Sequence, residues 1–261
     1  MSDRLRAIAQ ETVEISERGS YSTEAGEVVV DVARAVSGTR LHLPGEVLSL
    51  PPETTGTRVD VTNESTLDAA RRLGGDVAAL NFASARKPGG GFLNGKMAQE
   101  ESIAYASALH PCLLAAGDFY AHHRADRDLT YSDRVIYSPR VPVFRDDEGA
   151  LLPRPYEVSF LTAAAPNRGA ILRNQPERAE GIPVALLRRV IRVLHVAASH
   201  GHRRLVLGAW GCGVFENDPA TVAKIFALAL RDNRYFEHVV FAVLDRQQGT
   251  PTFQAFADTF A

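Results

Sequence analysis

Apolar and polar positions along this chain keep two different periods, and the two alternate. Short runs that are continuously apolar or apolar at every second position predict strands at "RVDV", "DVAALNFAS", "RVIYSPRVPVF", "YEVSFLTAAAP", "RRLVLGAW" and "HVVFAVLD". Between them, apolar residues three and four apart predict helices. One opens at Ser65, with Asp68 at its third position as an approximate capping box. A second runs from Glu100 to His123, and a third, "IPVALLRRVIRVLHVAASHG", closes on Gly201. A fourth has Asp218 as N-cap and Pro219 at its first position, and a short helix ends the chain. "RDDEGALLPRP" reads as a turn between two strands.

This regular alternation begins near Thr57. Upstream, Leu5, Ile8, Ala9 and Thr12 share one helical face, followed by the turn-rich "ERGSYSTEAG" and the strand-like "EVVVDV". "SGTRLHLPGEVLSLPPETTG" is rich in Gly, Pro, Ser and Thr and predicts loops over the surface. The expected organisation is an accessory region, 1–56, packed on a core, 57–261, within one structural unit. Strands alternating with helices predict an α/β fold: a three-layer sandwich with a mixed, mostly parallel sheet covered by helices on both faces. In such sheets ligands bind beyond the carboxyl ends of the strands.

Composition narrows the functional classes. With 261 residues, 45% of them hydrophobic, the chain has ample material for a core. Its 29 Lys and Arg against 31 Asp and Glu create no global field for nucleic acid or membrane, so neither direct DNA binding nor a membrane partner is expected. "MSDRLRAIAQETVEIS" has no apolar block of the secretory kind, and a cytoplasmic location is the expectation. Cys112 and Cys212 form neither a disulfide framework nor a CxxC pair, and His122 and His123 point to different faces of a helix, so no metal site is expected.

The candidate chemistry lies in two glycine-rich stretches, "PGGGFLNG" and "GAWGCGVFEND", both at strand-to-helix turns. Glycine permits positive φ and close approach of a ligand to backbone N–H groups, and the following helix start adds unpaired donors. Two such loops suit a diphosphate, although each on its own also reads as a plain mobile turn. GxxxxGK[ST] is absent, and "GCGVFE" puts Glu216 where a dinucleotide fingerprint needs a small residue. Gly89 to Gly95 lacks an acidic strand end about twenty residues on, since Asp118 falls inside a predicted helix; this disfavours a nicotinamide-dependent oxidoreductase.

Beyond the first loop stand Gln99, Glu100 and Glu101. Paired carboxyl groups suggest glycosidic chemistry. Successive helical residues point roughly 100° apart, so these two do not flank one bond from opposite sides. One reads as an acid and the other as a hydroxyl-binding group. A neighbouring carboxylate raises a carboxyl pKa while a helix N-terminus lowers it, leaving the balance open. Glutamates in a first helical turn are also favoured by the dipole alone.

Gly89-Gly90-Gly91, seven residues, then Gln99-Glu100-Glu101 resembles the GGG-x(6–8)-QEE signature of the poly(ADP-ribose) glycohydrolases, and "WGCGVF", Trp210 to Phe215, resembles that family's second phosphate-side loop. The resemblance runs from about Thr57 to the C-terminus and suits the compact bacterial-type members. It implies a macrodomain fold with ADP-ribose in a cleft between the loops, acting on poly(ADP-ribose) and ADP-ribosylated proteins in the reversal of ADP-ribosylation, without cofactor or metal. By matching position it implies Glu101 as the general acid and then base, and Glu100 and Asn81 as ribose-hydroxyl groups. It further implies Gln99 ordering the site, Phe215 on the distal ribose, and backbone N–H groups of Gly211, Cys212, Gly213 and Val214 on the diphosphate. This chain departs from the animal members in reading Asn81-Phe82-Ala83-Ser84 before the glycines and Ala209 before Trp210, and no tyrosine over the adenosine can be assigned. A non-catalytic ADP-ribose reader of the same fold is the alternative reading; it would need the loops but not both carboxyl groups. Of the remaining residues, Cys212 reads as a small spacer between glycines and Trp210 as core, while Asp245 and Arg246 read either as cleft groups or as a turn.

Overall fold

The computed structural model describes residues 2–261. In chain order the elements are α1 (Ser2–Arg18), β1 (Ser20–Thr23), β2 (Gly26–Val29), α2 (Val32–Gly38), β3 (Arg40–His42), β4 (Arg58–Thr62), α3 (Thr66–Leu73) and β5 (Val77–Phe82). There follow α4 (Gln99–Ala106), α5 (Leu109–Ala115), α6 (Gly117–Ala125), β6 (Val135–Arg145), β7 (Leu151–Ala163) and α7 (Arg168–Asn174). The chain ends with α8 (Ile182–Ser199), β8 (Arg204–Leu207), α9 (Pro219–Asp232), β9 (His238–Ala242) and α10 (Pro251–Phe260).

Strands β1 and β2 form a small hairpin, and the other seven form one sheet in the order β3-β6-β7-β5-β8-β9-β4. The pairs β7·β5, β5·β8, β8·β9 and β9·β4 are parallel, and β3·β6 and β6·β7 are antiparallel. Each strand face buries an apolar layer. Ala79, Val206 and Val240 pack with Ile103, Leu109 and Phe119 on one side, and Leu80, Leu205 and Phe241 with Val190, Leu194 and Phe226 on the other. The mixed, mostly parallel three-layer sandwich expected from the sequence is therefore what forms. Predicted starts also hold: Ser65 accepts the Asp68 N–H (3.0 Å) and Asp218 the Thr221 N–H (2.8 Å).

Three local expectations are corrected. The helix expected over Glu100–His123 is three helices, because Ser107 adopts extended geometry and bridges Val143. Its hydroxyl donates to the Ile103 carbonyl (2.7 Å) and accepts the Leu109 N–H (3.3 Å), ending one helix and starting the next. Pro111 then lies in the first turn of α5, where its missing N–H leaves nothing unpaired. Second, the stretch expected as surface loops contains β3, whose Leu41 pairs with Ile136, so residue 56 falls between two strands of the same sheet. Third, the "LLPRP" expected in a turn is strand: β7 extends past the end of β5, whose pairing begins at Ser159, so Pro153 and Pro155 occupy a free edge that needs no N–H.

Helix α1 lies over the first glycine loop. Ala9 packs with Phe92, Ala104 and Tyr105, and a methyl group on Gly95 would come within 2.6 Å of the Ser2 carbonyl. None of the helices is long and apolar enough to cross a membrane among the described residues.

Candidate active site

A cleft of about 1310 Å³ opens where β5 and β8 end, and both glycine loops line it. From β5 the chain passes Ala83 and Ser84 into the turn around Gly89–Gly91, a 3-10 turn at Phe92–Asn94, and then α4. Gln99, at the start of α4, ties this helix to the sheet. Its side-chain oxygen accepts the Phe82 N–H (2.8 Å), while its amide nitrogen donates to the Leu80 carbonyl (2.8 Å) and to Thr66 Oγ1 (3.1 Å). Both ends of the amide are occupied by the protein, which fixes the start of α4 against β5 and α3.

That anchorage brings Glu100 and Glu101 to the cleft. Glu100 is only 3% exposed; its Oε2 accepts the Ser84 N–H (2.7 Å) and its Oε1 lies 3.4 Å from the Asn81 amide nitrogen. Asn81 is itself fully buried and also donates to Thr162 Oγ1 (3.2 Å); its side-chain carbonyl oxygen has no hydrogen-bond partner among the described residues. Glu101 is held through Oε1 by the Gly91 N–H (2.8 Å), and its other oxygen has no hydrogen-bond partner among the described residues. A methyl group on Gly90, where φ is +62°, would stand 2.3 Å from Glu101 Oε1 and 3.0 Å from Glu100 Oε2. Gly90 thus has no room for a side chain, because its Cα lies against both carboxyl groups. Gly89 faces the Phe92 ring instead, and Gly90 and Gly91 alone of the three line the cleft.

Burial pushes the Glu100 carboxyl up to about 8, helped by the charge of Glu101 and opposed by the Ser84 N–H and the Asn81 amide. Burial therefore outweighs the helix-end effect at this residue. The sign for stability follows by linkage. Between the ordinary 4.5 and about 8 the folded protein keeps a proton that the unfolded chain releases, so the contribution is full below 4.5 and is lost as pH rises through 8. Glu100→Gln is accordingly expected to melt above the wild type, by a margin that widens from pH 5 to pH 9; a pH-independent difference in melting temperature would contradict the burial argument.

The second loop is braced from below. Three carbonyls at and just beyond the end of β7 are held by buried donors: Ala163 by Trp210 Nε1 (3.2 Å), Ala164 by Arg189 Nη1 (2.7 Å) and Pro166 by Asn217 Nδ2 (2.9 Å). Ala165 then abuts Gly211, where φ is +74° and a methyl group would meet Ala165 Cβ at 2.7 Å and Asn217 Nδ2 at 2.5 Å. The Cys212 N–H is taken by the Ala209 carbonyl (3.1 Å), whereas the N–H groups of Gly211, Gly213 and Val214 have no hydrogen-bond partner among the described residues. Val214 is 80% exposed at the rim, and Phe215 lies near Tyr131, ring centroids 6.1 Å apart. Burial pushes the Cys212 thiol up to about 12, which suits a spacer and not a nucleophile.

Other candidates settle into structural places. His123 donates from Nδ1 to the Phe119 carbonyl (2.9 Å) and accepts the Ser132 N–H at Nε2 (3.2 Å). Asp245 accepts the Gln247 and Thr252 N–H groups ahead of α10, while Arg246 lies at the cleft wall. Ser84, Asn217 and Arg189 were missed by sequence reading. Only Asn217 carried a local signal, as a polar residue before the Asp218-Pro219 helix start.

An α/β sandwich with its ligand cleft beyond the carboxyl ends of central parallel strands, and acid groups on the helix after a glycine turn, is of the macrodomain class. Comparison with known proteins specifies it. Residues 9–146 match the family described as "Microbial-type PARG, catalytic domain". The crystal structure of poly(ADP-ribose) glycohydrolase from Thermomonospora curvata is 51% identical, with a TM-score of 0.92 over 99% of this chain and 100% of that one. The same enzyme bound to the inhibitor ADP-HPD gives 0.89 at 51% identity, with the same coverage. Poly(ADP-ribose) glycohydrolase from Deinococcus radiodurans in complex with ADP-ribose gives 0.81 at 45% identity, covering 87% of this chain and 96% of that one. No curated protein matches. This chain belongs to the microbial-type poly(ADP-ribose) glycohydrolase family.

Proposed function

We propose that the chain hydrolyses the ribose–ribose O-glycosidic bonds of poly(ADP-ribose), releasing ADP-ribose, with Glu101 as general acid and then base. The observation that carries the assignment within the pair is the difference in their hydrogen bonding. Glu100 has both oxygens within reach of donors in the protein, while Glu101 keeps one oxygen free at the cleft. Protonation of the departing 2′-oxygen by Glu101 breaks the bond, an oxocarbenium-like ribose forms, and a water that gives its proton to Glu101 completes hydrolysis. Glu100, which keeps its proton up to about pH 8, serves as a neutral partner to a ribose hydroxyl. Asn81 supports this through Glu100. The unpartnered N–H groups of Gly211, Gly213 and Val214 take the diphosphate, and Phe215 packs on the distal ribose.

ADP-ribosylated proteins as carriers of the polymer and a cytoplasmic place of action belong to the same proposal. The test is incubation of the protein with labelled polymer. Release of free ADP-ribose is the expected result. Retention of intact polymer on the protein would establish the non-catalytic reader instead.

A further inference from the structure

We infer that Tyr105 is a positioning residue for Glu101 and that helix α1 acts on the active site through it. The inference rests on Glu101 being the acid. Tyr105 follows Glu101 by four residues on α4, so both side chains leave the same helical face. Each holds the same loop. Glu101 takes the Gly91 N–H, while the Tyr105 hydroxyl lies 2.8 Å from both the Phe92 and the Lys96 carbonyl oxygens. One phenolic proton serves both acceptors. Lys96 in turn donates its N–H to the Gly91 carbonyl (3.2 Å), which closes a ring: Glu101, Gly91, Lys96, Tyr105 and the turn of helix between them. The loop is thereby fixed on both sides of the peptide that orients the acid.

Tyr105 is fixed from outside as well. Its backbone carbonyl accepts the Thr12 hydroxyl from α1 (2.7 Å), and that same Thr12 oxygen accepts Arg145 Nε (3.3 Å). Arg145 is 3% exposed, pairs with Glu11 through Nη2 (2.5 Å) and donates from Nη1 to the Gly149 carbonyl (3.0 Å). Thr12 is likewise buried, a polar residue on the face of α1 that packs inward. A helix needing only to cover the core would place an aliphatic residue there; the hydroxyl instead links the hairpin end of β6 to the catalytic helix.

The test is steady-state hydrolysis of labelled polymer with ADP-ribose affinity by calorimetry and a thermal melt for each variant. Tyr105→Phe keeps the ring and removes the loop anchor. It is expected to lower kcat about tenfold, the scale of one lost positioning hydrogen bond, with KM and ADP-ribose affinity within about twofold of wild type. Thr12→Val, nearly the same shape, is expected to lower kcat about threefold by the same route, and decides the question alone if Tyr105→Phe does not fold. Adding Tyr105→Phe to Glu101→Gln should cost nothing further, because nothing remains to be oriented. Unimpaired kcat in both variants, a loss carried in KM, or a full additional loss in the Glu101→Gln background overturns the inference. Failure of the underlying assignment looks different: there, Glu101→Gln itself turns over like wild type.

Discussion

Glu101→Gln is expected to reduce release of ADP-ribose from polymer by about 10²- to 10⁴-fold, the range general acid–base catalysis supplies, while leaving ADP-ribose affinity nearly unchanged. The amide is the same size as the carboxyl group, and its oxygen still accepts the Gly91 N–H, so the loop keeps its shape. What disappears is the proton for the leaving oxygen and the base for the attacking water. Binding is expected to persist because the proposed diphosphate donors are on the other loop, braced by Trp210, Arg189 and Asn217 and untouched by the substitution. Single-turnover hydrolysis with a parallel binding isotherm checks both halves. Turnover within tenfold of wild type would remove Glu101 from the role of acid, and a parallel collapse of binding would show that the side chain serves recognition.

How much of this was legible beforehand depended on sequence distance. The glycine loops, the Gln-Glu-Glu segment and the Ser65 and Asp218 caps are local patterns, and each stands where its pattern predicts. Relations across the chain were not legible. Gln99 reaches Thr66, Ser107 leaves the helix to meet Val143, Asn217 holds Pro166, and Arg189 reaches Ala164 from the middle of α8; each depends on what the fold brings alongside. Arg189, of a residue type mostly found exposed, is fully buried because three backbone carbonyls and Asp133 surround its guanidinium. Strand β3 was hidden for a related reason. Three residues carry no period, and the proline- and glycine-rich segment around them outweighs the signal.

The triple glycine changed meaning most, and it carries the second large prediction. In sequence, three glycines before two carboxylates suggest room for a diphosphate; in the structure, Gly90 makes room for the carboxylates themselves. Gly90→Ala is therefore expected to act as a displacement of Glu101. The new methyl group would overlap Glu101 Oε1 at 2.3 Å, and the atoms in the way are the ends of side chains, so the chain still folds while the acid moves aside. A non-glycine residue at φ +62° adds about 1–2 kcal/mol of strain, which for a domain of this size lowers the melting temperature by roughly 2–8 °C. Misplacement of the reacting group by about 1 Å costs on the order of 10²-fold in rate, far more than that strain implies. The expected signature is a folded protein, modestly less stable, with kcat down about a hundredfold. Gly117→Ala, with nothing within 4 Å of its added methyl group, should leave kcat at the wild-type value. Wild-type kcat for Gly90→Ala would show that Glu101 does not need the position the first loop gives it. The glycines would then return to the role their sequence first suggested, close approach of the ligand to the backbone.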